Sequence, residues 1–76
     1  MSYAENSIGT RIFETREATG LSQRELAEQA GISQSIISKI ETGEIQNPGT
    51  DVVQKIAKVL VVGVAWLIGQ GGKPEL

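Results

Sequence analysis

The chain has 76 residues, carries seven basic against nine acidic side chains for a net charge of −2, and contains neither cysteine nor histidine. That length holds one small domain near the lower limit for folding around a single core. Without cysteine a disulfide framework or thiolate site is excluded, and without histidine most catalytic and metal-binding constellations go too, so no catalytic residue, metal or cofactor is expected.

Residues 1–6 are polar and read as a flexible start. The opening MSYAENSIGT has no basic beginning and no apolar run, so a secretory signal is not expected. A first helix is predicted from about Ser7 to Ala18, capped by Ser7 or Asn6. Ile8 and Ile12 fall at i, i+4 on one face, and Gly20 supplies the stop. Phe13 lies about 100° around the helix from Ile12. It either folds over the edge of the core or stands exposed at a partner surface.

Residues 22–41, SQRELAEQAGISQSIISKIE, carry the densest pattern in the chain. Ser22 followed by Glu25 is a capping box, in which the hydroxyl takes a backbone N–H and the carboxylate reaches back. Ser33 offers a second N-cap oxygen. Between the two helices Ala30-Gly31-Ile32 leaves room only for a tight turn, and Gly31 sits where the chain needs positive φ. Two short helices joined by such a turn describe a helix-turn-helix. Ala27 faces the second helix where the two cross, and a larger side chain there would push them apart. Leu26 and Ile37 point into the wedge.

Residues 42–50, TGEIQNPGT, are a loop: Gly43 ends the preceding helix and Asn47-Pro48-Gly49-Thr50 is dense in turn signals. A fourth helix is expected from about Thr50 to Leu60, with Val53, Ile56, Ala57 and Leu60 as its apolar stripe. Asp51 sits in its first turn and pairs in spacing with Lys55. Gly63 can cap a short fifth helix over Val64–Ile68, and residues 70–76 read as a flexible tail. One domain over residues 7–69 follows. The apolar run from Val59 to Ile68 is too short to span a bilayer.

Gln23, Leu26, Ala27, Gly31, Ile32, Ile37 and Ile40 together resemble the helix-turn-helix signature of the phage-repressor Cro/CI-type (XRE) DNA-binding domains. The resemblance extends over about residues 7–69 and implies an all-α, five-helix phage-repressor-like fold with the helix-turn-helix at helices 2 and 3. It also implies a sequence-specific regulator of transcription, a repressor acting as a dimer on an inverted-repeat operator in double-stranded DNA. In such domains an arginine at the place of Arg16 pairs with a glutamate at the place of Glu41. The chain departs from the family pattern at Thr15, where leucine is common. It departs again at Val61-Val62, where glycine often follows the fourth helix; either that helix ends differently or Val61 is strained.

The second helix of the pair is expected in the major groove, its N-terminal residues at base edges. By resemblance Gln34, Ser35 and Lys39 occupy the base-reading positions. Chemically, Gln34 suits adenine N6 and N7, Lys39 suits guanine O6 or N7, and Ile36 suits a thymine methyl. Gln23, Ser22, Thr42, Gln46 and Asn47 are the candidates for the phosphate backbone, with Ser22 and Ser33 serving as caps first. Where relatives carry basic residues in the loop after the recognition helix, this chain has Gln46 and Asn47.

The segment VVGVAWLIG is too apolar for the surface of a small monomer. Trp66 and Leu67 can close the core, which leaves Val62, Val64, Ala65 and Ile68 as an expected homodimer interface. Within residues 22–50 two basic residues stand against four acidic ones. That balance argues against strong non-specific DNA binding but not against a specific operator. It also keeps open a protein-interaction module, such as an antitoxin or antirepressor using the same helices on a protein partner. A cytoplasmic protein of prokaryotic or phage origin, with no membrane association, fits either reading.

Overall fold

The computed structural model describes residues 7–62. They form four helices: α1 Ile8–Thr19, α2 Gln23–Ala30, α3 Gln34–Thr42 and α4 Thr50–Leu60. The expectation of five helices is thereby corrected to four among the described residues, since the stretch assigned to a fifth, 64–68, lies outside them.

Local chemistry starts three of these helices. The Ser7 hydroxyl accepts from the Thr10 N–H at 3.1 Å, and the Ser33 hydroxyl accepts from the Ile36 N–H at 3.2 Å. At α2 the capping box closes in both directions, Glu25 N–H to Ser22 Oγ at 3.0 Å and Ser22 N–H to Glu25 Oε1 at 2.9 Å. Each such cap is worth about 1 kcal/mol. Helix α4 begins at Gly49 with no side-chain cap, and Asp51 in its first turn complements the helix dipole instead.

The helix ends follow one plan with a single exception. Helices α1, α2 and α3 stop on Gly20, Gly31 and Gly43 in the left-handed region, whereas α4 stops there on Val61, at φ 58° and ψ 49°. The Val62 N–H still closes back onto the Ala57 carbonyl at 3.1 Å, as Leu21 does onto Arg16 and Ile32 onto Ala27. A left-handed conformation costs an L-residue about 1–2 kcal/mol, and a β-branched one is a true outlier there. Val61 is therefore strained, and the helix ends where the apolar stripe does.

Among the described residues nine form the buried core: Ile12, Leu26, Ala27, Ile37, Ile40, Val53, Ile56, Ala57 and Leu60. Helix α3 packs against both α1 and α2, while α4 packs against α2 and α1. Ala27 is buried on α2, the helix that faces both α3 and α4, which is why a small side chain stands there. On α1 the buried residues are Gly9, Ile12 and Arg16. Ile8 is only partly buried, so the inward stripe runs 9-12-16 rather than 8-12. At Gly9 two elements approach closely: a Cβ there would overlap the Ile40 carbonyl oxygen and press within 3.1 Å of that of Glu41. The backbone of α1 thus rests directly on the last turn of α3. No helix among the described residues is long and apolar enough to cross a membrane.

Candidate nucleic-acid interface

Helix α3 is held from inside at its C-terminal end. Glu41 is buried, and its carboxylate accepts from Arg16 Nε at 2.7 Å, Arg16 Nη2 at 3.0 Å and Gln23 Nε2 at 3.0 Å. Arg16 Nη1 donates to the Leu21 carbonyl at 2.8 Å, so the same guanidinium also ties down the turn between α1 and α2. The bidentate fork suits arginine in a way lysine cannot reproduce. Hydrogen bonding to Glu41 raises the Arg16 pKa against the opposing pull of desolvation. With its side chain only 7 % exposed, Arg16 works within the protein.

Of the two places its sequence position allows, Phe13 takes the exposed one. It is exposed, and the Arg16 guanidinium lies over its ring at 5.4 Å from the centroid. The ring covers the outer side of the ion pair, a cation–π arrangement that adds to the hold on Arg16. Gly9, Phe13, Arg16, Gln23 and Glu41 together set where α3 sits relative to α1 and α2.

With its inner side so fixed, α3 presents the opposite side to solvent. Ile37, Ile40 and Glu41 are buried, whereas Gln34, Ser35, Lys39 and Thr42 are exposed. Ser38, between Gln34 and Thr42, and Ile36, at the edge of the exposed side, are half-buried. Gln46 and Asn47 stand exposed in the loop that follows. Two backbone candidates have prior commitments. The Thr42 hydroxyl donates to the Lys39 carbonyl at 3.2 Å, and one Gln23 amide hydrogen is taken by Glu41. Ser22 accepts the Glu25 N–H and keeps its own proton available. On α2, exposed Arg24 pairs with Glu28 at 3.2 Å, a solvent-screened contact of little energetic weight.

Of the expected dimer residues, Val62 is half-buried and packs against the core; Val64, Ala65 and Ile68 lie outside the described residues.

Sequence reasoning passed over Gly9 and the bond from Gln23 to Glu41. The first had a faint signal, a glycine in register with Ile12 and Arg16 on one helical face. The second had none, because the partners are 18 residues apart and both polar.

Two helices hinged on Gly31, the second clamped along its inner side and polar along its outer side, define a protein of the helix-turn-helix class. The chain belongs to the helix-turn-helix family, of the Cro/CI type: the family's model matches residues 12–67. Among curated proteins it is similar to the transcriptional regulator SinR of Bacillus licheniformis, 38 % identical over 68 residues that make up 90 % of this chain and 61 % of SinR. The chain thus spans less than two thirds of that relative. Among solved structures it is similar to the N-terminal DNA-binding domain of SinR from Bacillus subtilis, at TM-score 0.77 and 42 % identity over 79 % of this chain and 87 % of that one. It is equally similar to SinR, the master regulator for biofilm formation, in complex with DNA, at TM-score 0.77 and 42 % identity over 79 % of this chain and 95 % of that one.

Proposed function

We propose that this protein is a sequence-specific regulator of transcription that binds double-stranded DNA, a repressor acting as a dimer on an inverted-repeat operator. The observation that carries the reading is the outward side of α3. Gln34, Ser35 and Lys39 are exposed there in a row, on a helix whose inner side is pinned by Glu41, in a fold that SinR presents in a complex with DNA.

In this reading α3 enters the major groove. Gln34 reads adenine with its amide, Lys39 reads guanine, and Ser35 bonds whichever edge it meets. Gln23 holds Glu41 with one amide hydrogen and gives the other to a phosphate at the start of α2, where backbone N–H groups also favour an anion. Ser22, Gln46 and Asn47 add neutral hydrogen bonds to the backbone, while Thr42 serves as an acceptor through water. Dimerisation uses the apolar segment beyond α4, with Val62, Val64, Ala65 and Ile68 facing a second copy. A protein with this role acts where the DNA is, in the cytoplasm of a prokaryotic cell.

Selection from a random duplex library at low salt, followed by sequencing of the bound fraction, tests this directly. Enrichment of an inverted repeat supports a dimeric operator reader, and its spacing gives the dimer geometry. Folded protein that enriches nothing overturns the reading and directs attention to a protein partner for the same helices.

A further inference from the structure

At the end of α4 the backbone conformation and the residue that adopts it disagree. The other three described helices stop on a left-handed glycine, whereas α4 stops on Val61 at φ 58° and ψ 49°. A β-branched residue is held there against its own preference. Its side chain recovers little by packing, since it is 58 % exposed. What the stop gains lies one residue further on. Val62 is half-buried against the core, and its N–H closes onto the Ala57 carbonyl at 3.1 Å. Strain that persists without local packing to offset it points to a second arrangement in which it is released.

In that arrangement α4 runs on. With Val61 helical, the Val62 N–H would donate to the Lys58 carbonyl, so one backbone bond replaces another. At about 100° per residue, Val62 would then stand opposite Val53 and face away from the buried stripe of Val53, Ile56, Ala57 and Leu60. A single copy would relieve Val61 only by exposing Val62, and the two penalties are of the same order. An element so balanced is tipped by whatever covers Val62 in the extended form. The cover has to be apolar, and residues 59–68 of every copy are apolar apart from one glycine. We infer that the end of α4 is a conformational device worked by a second copy of this chain. Alone, α4 stops at a strained Val61 with Val62 turned inward; paired, it runs on through both valines and presents Val62 to its partner, the same surface serving on both sides. This rests on the dimer reading above and adds to it a strain that each copy releases on pairing.

Sedimentation equilibrium of the full chain, without DNA, compares the wild type with Val61→Ala and Val61→Gly. Both variants remove the valine side chain, so a mere side-chain contact at the interface would move them alike. They differ in backbone preference: alanine stays strained in the left-handed stop and favours helix, whereas glycine takes the stop freely and disfavours helix. Val61→Gly is therefore expected to dimerise more weakly than Val61→Ala, by about tenfold for each copy that has to extend and so about a hundredfold for the pair. Circular dichroism confirms that both variants fold, as the exposure of the position leads one to expect. Equal dimerisation of the two variants overturns the inference, because the backbone at Val61 then keeps one conformation throughout. Tighter dimerisation of Val61→Gly overturns it equally, since the left-handed stop then belongs to the dimer. Both of these outcomes leave the dimer reading intact. A wild type that stays monomeric at every concentration removes that reading and this inference together.

Discussion

Arg16 and Glu41 meet across 25 residues of sequence in a buried bidentate pair, Nε to Oε2 at 2.7 Å and Nη2 to Oε1 at 3.0 Å. The pair joins the inner side of α1 to the last turn of α3, and Gln23 joins α2 to the same carboxylate. Removing one partner leaves the other charge buried and uncompensated, which typically costs about 3–5 kcal/mol. Arg16→Ala and Glu41→Ala should each lower stability by that order, read as a shift of the urea midpoint. Arg16→Lys should recover only part of it, since an ammonium cannot engage both oxygens and the Leu21 carbonyl in one plane. Equal stability of Arg16→Lys and the wild type would show that charge alone, without the fork, suffices.

Val61 supplies a prediction of the opposite sign. It is strained at φ 58° and is 58 % exposed, so it has little packing to lose. Val61→Gly relieves the left-handed penalty of about 1–2 kcal/mol, offset in part by the greater freedom of glycine in the unfolded chain. The expected net gain is about 1 kcal/mol in thermal or urea unfolding. A loss of stability instead would mean that the valine side chain has packing that offsets its backbone strain.

Gly9→Ala should be among the most damaging of the smallest possible substitutions. The added methyl meets the Ile40 and Glu41 backbone, which cannot rotate away as a side chain would. Overpacking of this kind costs about 1–3 kcal/mol. Unchanged stability, measured by chemical denaturation, would require α1 and α3 to separate at no cost.

Lys39→Ala removes an exposed cation from the outward side of α3 and leaves the core untouched. In the proposed complex it should weaken binding by about 1–3 kcal/mol and relax preference at one base position per half-site. Repeating the library selection with the variant checks this. An identical base preference at every position would remove Lys39 from the readout.

Salt dependence probes the same surface from another direction. Among the residues proposed to face DNA, Lys39 carries the one positive charge, and Gln46 and Asn47 stand in the loop after α3. The slope of log affinity against log salt scales as about −0.9 per neutralised phosphate, so a shallow slope, on the order of −2 for a dimer, is expected. A slope near −8 would relocate the interface to the basic residues of α1 or α4.

Element starts and stops were legible in the residues themselves, because capping is local chemistry. Ser7, Ser22 with Glu25, and Ser33 carry their acceptor oxygens within three residues of the N–H groups they satisfy. Gly20, Gly31 and Gly43 mark the stops by the conformation they permit. The apolar stripe of α4 and the buried positions Leu26, Ala27, Ile37 and Ile40 follow from helical periodicity alone. Family resemblance supplied the expectation of the Arg16–Glu41 pair, which neither periodicity nor composition contains. Tertiary packing decided the rest. It turned α1 so that Gly9 and Arg16, one too small and one too polar to score as core, became its inward stripe with Ile12. It laid the Phe13 ring against a guanidinium and committed the Gln23 amide to Glu41. Hydrophobic pattern reports only which side of a helix avoids water. How closely two backbones approach, and which buried polar groups satisfy one another, are settled when the helices meet, since both depend on atoms that sequence separation keeps apart.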